Sequence, residues 1–273
     1  MEPVIKWAGG KRQLLDDIKD RLPKSYNRYF EPFIGGAAVL FDIQPNNAVI
    51  NDINPLLINM YKQIRDNAED IISKVQTLDS IECDKELYFF NREKYNEKIT
   101  KKEIDTEAAA LMIWLNKHCF NGLYRVNRKG LFNVPYNNKK NGKSIDPDNI
   151  RAISSYLASP TIEIKLGDFE EACKETKSGD FVYFDSPYVP ESESANFTGY
   201  ASDGFPEAEH IRLANLFKEL DKKGVLLMLS NNDVPFVREL YKGYNIESIG
   251  VKRLINRDAD KRTGKEVIVR NYV

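Results

Sequence analysis

Asp185-Ser186-Pro187-Tyr188 follows directly on the unbroken apolar run Phe181-Val182-Tyr183-Phe184. Pro187 holds Ser186 in extended backbone, so a carboxylate, a carbonyl and an aromatic face leave the chain at one point. Two acceptors beside a flat ring are what an exocyclic amine on a planar base requires. Asp, Ser and Pro also end strands in ordinary turns, and the tetrapeptide alone leaves both readings open. A second group, Glu31-Pro32-Phe33-Ile34-Gly35-Gly36-Ala37, places glycines after one apolar run, and Asn51-Asp52 closes the next, sixteen residues beyond Gly36. Glycine lets backbone approach a ligand closely, and an acid at the second strand tip can accept from ribose hydroxyls. Two glycines fall short of the full dinucleotide fingerprint, and a tight turn explains them equally well. In Lys6-Trp7-Ala8-Gly9-Gly10-Lys11 an indole could cover an adenine or sulfonium group and Lys11 could meet a carboxylate. The alternative is a flexible Gly-Gly before a helix, with Trp7 in the core and Lys11 solvated.

The stretch from Asn116 to Lys143 carries Lys117, Arg125, Arg128, Lys129, Lys139, Lys140 and Lys143 and no acid, seven cations in 28 residues. Over the whole chain the charges nearly cancel, since Lys and Arg total 40 against 41 Asp and Glu. A uniformly basic surface is excluded, and any polyanion site must be local. Such a cluster is a footprint for phosphates, with Lys139 and Lys140 as backbone contacts. The interleaved Phe120, Tyr124, Phe132 and Tyr136 are candidates for stacking or wedging between bases, and Arg125 for reading guanine bidentately. A charge run is also commonly just a solvated face. A second basic stretch, Lys252 to Lys265, is diluted by Asp258 and Asp260 and reads either as a loop on phosphate or as an exposed turn.

The elements that must position these residues follow from hydrophobic period. Strand-type runs occur at Arg28 to Phe33, Ala48 to Asn51, Thr161 to Leu166, Asp180 to Asp185, Val225 to Ser230, Tyr244 to Gly250 and Glu266 to Asn271. Helix-period segments are Lys11 to Leu22, Pro55 to Asp66, Ala68 to Leu78, Asp105 to His118, Pro206 to Lys222 and Pro235 to Lys242. This alternation predicts an α/β fold with a mostly parallel twisted sheet, interrupted between about Pro55 and Pro160 by a mainly helical insert. Cys83, Cys119 and Cys173 are too few and too dispersed for a disulfide framework or a paired metal site. With no signal-like apolar block and no stretch near the roughly 18 apolar residues of a membrane span, the expected location is the cytoplasm.

Taken in order, the four motifs resemble the Dam-type DNA adenine methyltransferases, the alpha class of amino-methyltransferases that includes the methylases of GATC restriction systems. The resemblance covers nearly the whole chain. It implies a Rossmann-like S-adenosylmethionine-dependent methyltransferase fold, with residues 1–55 and 160–273 as a discontinuous catalytic domain and 56–159 as the target-recognition insert. By the same resemblance Asp185, Ser186, Pro187 and Tyr188 are catalytic. Trp7, Lys11, Phe33, Gly35, Asp52, Asp168, Phe169 and Asp185 bind S-adenosylmethionine, and Lys6, Phe120, Asn121, Leu123, Arg125 and Pro135 face double-stranded DNA. The implied activity is methyl transfer to the exocyclic amine of adenine within a GATC-like site, by base flipping and without a metal. The expected protein is a bacterial or phage-encoded monomer, with a cognate restriction endonuclease as a partner that shares its target without needing contact.

Three positions depart from the family's pattern. Ser186 stands where a first proline is usual, Ala37 replaces a common third glycine, and Asn137-Asn138 replaces a frequent Gly-Arg. Rival readings remain at this stage: a cytosine amine or RNA as acceptor, a silent DNA-binding relative, and, least favoured, a nicotinamide dehydrogenase, which leaves the basic insert unexplained. Asp at the head of the catalytic motif favours adenine, because Ser there goes with cytosine in the resembling families.

Overall fold

Each of the seven apolar runs becomes a strand in the computed structural model, which describes residues 1–7, 9, 11, 14–139, 142–190, 205–252 and 263–273. They are β1 (Tyr29–Glu31), β2 (Ala48–Asp52), β3 (Ile162–Leu166), β4 (Phe181–Phe184), β5 (Leu226–Asn232), β6 (Asn245–Lys252) and β7 (Thr263–Arg270). Their order across one sheet is β3-β2-β1-β4-β5-β7-β6. β1 runs parallel to both neighbours, with Tyr29 opposite Ala48 on β2 and Phe181 on β4. β4 and β5 are also parallel, whereas β7 is antiparallel to β5 and β6. The expected mostly parallel α/β sheet is therefore found. Strand order reverses between β1 and β4, and ligands of open α/β sheets bind beyond the carboxyl ends of the strands at such a switch point. Phe181, Val182, Tyr183 and Phe184 are all fully buried, which is why β4 reads as continuous apolar sequence rather than an alternation.

Helices depart further from expectation. The predicted Lys11 to Leu22 helix shrinks to α1 (Leu15–Lys19). The segments Pro55 to Asp66 and Ala68 to Leu78 are one helix, α3 (Pro55–Asp79), bent at Asn67, whose φ of −139° leaves the helical region. Asn54 caps it by accepting from the Leu56 and Leu57 N–H groups, and Pro55 suits the first turn, where no N–H is needed. Helices α5 (Thr106–His118), α8 (Glu207–Lys222) and α9 (Pro235–Leu240) fall within their expected bounds. Helix α2 (Ala38–Ile43) follows the glycine pair, as a strand–glycine–helix arrangement requires, and three others had not been anticipated: α4 (Lys85–Lys101), α6 (Pro147–Leu157) and α7 (Phe169–Cys173).

The chain divides into two compact units. One comprises Met1–Gly10, Gly35–Gln44 and Asp52–Leu166. Its core is helical, with α3 packed on α5 and α6 and α4 on α5 around the buried Tyr61, Tyr88, Tyr95 and Trp114. No strand was expected in the insert, and among the described residues 56–159 only the isolated bridges Cys119 to Tyr136 and Val126 to Phe132 occur. The other unit comprises Lys11–Ile34, Pro45–Asn51 and Gly167–Val273. Its core joins Phe30, Val182, Phe184, Leu227, Leu229, Val267 and Val269 of the strands to Phe217 and Leu220 of α8. The three cysteines are buried free thiols. Among the described residues no helix is long and apolar enough to cross a membrane.

Candidate active site and target-reading hairpin

β4 delivers Asp185 to the carboxyl edge of the sheet, where its Oδ1 lies 2.5 Å from Lys11 Nζ. Ser230 Oγ on β5 donates to the same oxygen at 3.3 Å and is 2.9 Å from the Tyr183 hydroxyl. Burial pushes the Asp185 carboxyl above its usual range, while Lys11 and Ser230 pull it back. A desolvated carboxylate kept charged by one specific cation is a recognised mark of a functional site. Lys11 Nζ also lies 4.3 Å from the centre of the Tyr188 ring. The Tyr188 hydroxyl donates to Glu266 Oε2 on β7 at 2.9 Å, which fixes the ring by its far end. Burial, and then the Asp185 charge, hold that phenol well above its ordinary pKa. Ser186 is buried and its hydroxyl has no hydrogen-bond partner among the described residues, whereas Pro187 is exposed. Just downstream, the Val189 N–H donates to Asn231 Oδ1 at 3.0 Å and its carbonyl accepts from Asn232 Nδ2 at 2.7 Å. These bonds pin the motif's exit to β5. Lys11, read from sequence as a partner for a ligand carboxylate, here pairs with the Asp185 carboxylate itself.

In the same unit Phe33 packs 5.3 Å from Phe169 and edge-on 5.7 Å from Phe205. Asp168 caps α7 by accepting from the Glu170 N–H at 2.9 Å. Arg212 of α8 bonds Asp168, reaches Glu170 Oε1 at 2.7 Å and Glu209 Oε2 at 2.6 Å, and stands 4.3 Å over the Phe169 ring. Asn51 Nδ2 donates to the carbonyls of Pro32 at 3.0 Å and Gly167 at 2.9 Å, so the turns after β1 and before α7 are tied to the end of β2. Phe33, Asp168 and Phe169 are thus brought together at the end of the sheet.

The remaining candidates lie in the helical unit. Gly35 has φ +47°, and a Cβ there would come within 2.8 Å of Trp7 Cδ1; one on Gly36 would come within 3.1 Å of Trp7 Cβ. The space that glycine leaves is taken by the indole. Trp7 stacks on Tyr124 with ring centres 5.2 Å apart. The Gly35 N–H donates to Asp52 Oδ2 at 3.1 Å, its carbonyl accepts from the Tyr61 hydroxyl at 2.7 Å, and Asp52 Oδ1 accepts from the Asn54 N–H at 2.9 Å. Burial raises the Asp52 carboxyl against these backbone donors, which favour the charged form. Beside it Ile53 is 73% exposed, an apolar surface next to a carboxylate.

Residues 119–136 fold back on themselves through the two bridges, with a turn in which Asn127 Oδ1 accepts from the N–H groups of Lys129 and Leu131 at 2.9 and 3.1 Å. Phe120 is 50% exposed at the base of this hairpin, and Asn121 follows with φ +56°. Arg125 is exposed, its Nε donating to Asn133 Oδ1 at 2.8 Å, so its head is oriented from the opposite arm. Leu123 is half-buried, and Pro135 and Lys139 are exposed. Lys6 is exposed too, its backbone held by Asn116. Lys140 and the second basic stretch from Arg253 to Arg262 lie outside the described residues.

Helix α4 holds the hairpin: Asn96 pairs with both backbone groups of Phe132, at 2.8 and 3.0 Å, and the Tyr88 hydroxyl donates to the Val134 carbonyl at 2.8 Å. Sequence reasoning missed Asn96, Asn116 and Arg212, whose partners lie 36, 110 and 44 positions along the chain, and Asn133, which meets Arg125 eight residues back across the hairpin.

Comparison with known proteins supplies the family. Residues 7–255 match the model of the D12 class N6 adenine-specific DNA methyltransferases. A Type II methyltransferase of Lactococcus lactis subsp. cremoris is 47% identical over 274 residues, covering 100% of this chain and 96% of that protein. A Type II methyltransferase of Methanocaldococcus jannaschii is 39% identical over 100% of this chain and 99% of its own length. A DNA adenine methylase of Haemophilus influenzae is 32% identical, covering 97% of this chain and 92% of that protein. The carboxylate, ring and basic hairpin therefore belong to a DNA (adenine-N6)-methyltransferase, and the chain is a member of the D12 class N6 adenine-specific DNA methyltransferase family.

Proposed function

We propose that this enzyme takes its methyl group from S-adenosylmethionine and places it on the N6 amine of an adenine turned out of duplex DNA, within a GATC-like site. Residues 56–159 carry target recognition, and 1–55 with 160–273 carry catalysis. The observation that supports the reading most is the half-buried Asp185 carboxylate at the strand switch point, paired with Lys11, whose charge opposes the upward pKa shift of burial, and flanked by Tyr188.

The chain's residues suit S-adenosylmethionine. Phe33 and Phe169 would offer a flat apolar wall for its adenine, Asp168 an acceptor for the adenine amine and Asp52 an acceptor for ribose hydroxyls, while Lys11, expected to meet the cofactor's carboxylate, is engaged with Asp185. Trp7 would pack near the donor beside Gly35. When bound, the cofactor supplies an electrophilic methyl group on a positively charged sulfur.

An aromatic amine is a poor nucleophile, since its lone pair is shared with the ring. Asp185 and the Ser186 carbonyl accept its two hydrogens, which favours the pyramidal nitrogen with a free lone pair and stabilises charge as it develops. Swinging the base out costs a few kcal/mol of stacking and pairing, and Tyr188 offsets part of it as a replacement stacking surface. Lys11 keeps Asp185 charged before the base arrives. Positioning donor and amine in line supplies much of the remaining acceleration. Lys6, Phe120, Asn121, Leu123, Arg125, Pro135, Lys139 and Lys140 form the DNA-facing set, with Phe120 as wedge and Arg125 as base reader. The biological setting we infer is a modification enzyme in the cytoplasm, acting as a monomer beside a nuclease of the same target.

Asp185→Ala tests the assignment. Labelled-methyl transfer should vanish while duplex binding, followed by gel shift, stays near wild type; wild-type turnover in the variant refutes the role.

A further inference from the structure

Asn116, near the end of α5, is only 5% exposed, and its side chain makes three hydrogen bonds. Oδ1 accepts from the Lys6 N–H at 2.8 Å, and Nδ2 donates to the carbonyls of Lys6 and Gly122, each at 2.9 Å. One amide thus grips both backbone groups of a residue 110 positions away, as a neighbouring strand would, together with the turn that carries Phe120. Gly122 completes the grip. Its φ is +65°, and a Cβ would stand 2.6 Å from Lys6 Cδ, so the Lys6 stem can cross this turn only because the side chain is missing. The next residue, Trp7, stacks on Tyr124 of the hairpin on one side and fills the space over Gly35 and Gly36 on the other. All these contacts lie within one compact unit.

We infer that Asn116 is a positioning residue for methyl transfer: through Lys6 and Trp7 it holds the turn at 120–125 and the loop at 35–36 in a single register. Base discrimination and cofactor affinity then both depend on a side chain that contacts neither ligand. This inference rests on the proposed roles of that turn in DNA reading and of that loop in cofactor binding. Asn116 holds Lys6 by its backbone groups, and Lys6 is itself exposed.

The test is Asn116→Asp, which keeps the volume and the acceptor for the Lys6 N–H but sets a carboxylate oxygen against two carbonyls. Steady-state methylation should show the preference for a GATC duplex over single-pair variants reduced about ten-fold, the size of one lost base contact. KM for S-adenosylmethionine should rise, with a smaller change in kcat on the cognate duplex. Gly122→Ala disturbs the same contact from its other side and should reproduce the pattern; should Asn116→Asp fail to fold, Gly122→Ala decides alone. A residue with a merely structural role would lower the melting temperature and the active fraction while leaving preference and KM unchanged, and that outcome overturns the inference. Arg125→Ala separates the two levels. Unchanged preference in Arg125→Ala defeats the DNA-reading assignment itself, whereas changed preference there with none in Asn116→Asp and Gly122→Ala defeats only the positioning role.

Discussion

At the scale of single residues, Asp185 and Ala37 show the same sequence features acquiring different physical meanings in three dimensions. Asp185 is held above the ordinary carboxylate range by burial, with Lys11 opposing the shift. Because only the ionised form accepts the amine hydrogens, kcat/KM should fall as pH drops through a value above the roughly 4 of a free aspartate. Removing the cation takes away the influence that lowers this pKa, so Lys11→Met should move the acid limb to higher pH; a limb that stays put or moves down contradicts the pairing. Ala37, which stands where a third glycine is common, is fully buried at φ +58°, at the start of α2, a handedness that costs a residue with a Cβ about 1–2 kcal/mol. Ala37→Gly should therefore raise stability by about 1 kcal/mol in denaturant melts, whatever it does to the cofactor. No change would show that the strain is absorbed by its surroundings.

At the scale of elements, the hairpin depends on a helix that sequence patterning conceals. Helix α4 reads Lys-Glu-Leu-Tyr-Phe-Phe-Asn-Arg-Glu-Lys-Tyr, with Phe90 64% exposed and polar residues around the whole circumference. Its start is set instead by the Asp84 cap and its stop by Lys102 at φ +58°, while Lys98 Nζ meets Asp105 at 2.8 Å and Glu107 at 2.9 Å and ties the helix to the beginning of α5. Asn96→Ala removes the bracket on Phe132 and leaves two backbone groups unpaired, so it should cost about 1–3 kcal/mol and weaken discrimination along with Arg125→Ala. Arg125→Ala should itself relax base choice by about 1–3 kcal/mol, measured as relative kcat/KM on duplexes differing at one pair; equal losses on every duplex would confine Arg125 to phosphate. The strands were legible because burial on both faces writes itself into sequence, as in β4. Helix α6 carries local signals too, since Asp146 caps it, Pro147 opens it, and Ile150, Ile153 and Leu157 share one buried stripe. Nothing local could reveal that Arg212 braces Asp168, because they meet across 44 positions of the chain, and Asn133 aims Arg125 from eight residues away only once the hairpin between them has closed.

At the scale of the whole molecule, a chain of net charge −1 must attract DNA by local concentration of cations rather than by its overall field. Lys139→Ala should then weaken binding uniformly across sequences and reduce the slope of log affinity against log salt by about one; an unaltered slope removes it from the contact set. Acid tolerance is set in part by His210, which burial against Phe205 pushes down from 6.5 to about 4. The unfolded chain binds that proton first, so stability is intact above about pH 6.5 and is lost as pH falls toward 4. His210→Gln should flatten the decline in melting temperature across this interval, and an unchanged profile would place the acid lability elsewhere. The central claim is that the crevice beyond β4 methylates a GATC adenine on its amine. Purified protein, tritiated S-adenosylmethionine and duplexes with or without that site, followed by nucleoside analysis of the product, test it most directly. The account predicts label in N6-methyladenine only where the GATC adenine is present. Label in cytosine, equal label on every duplex, or none at all would contradict it.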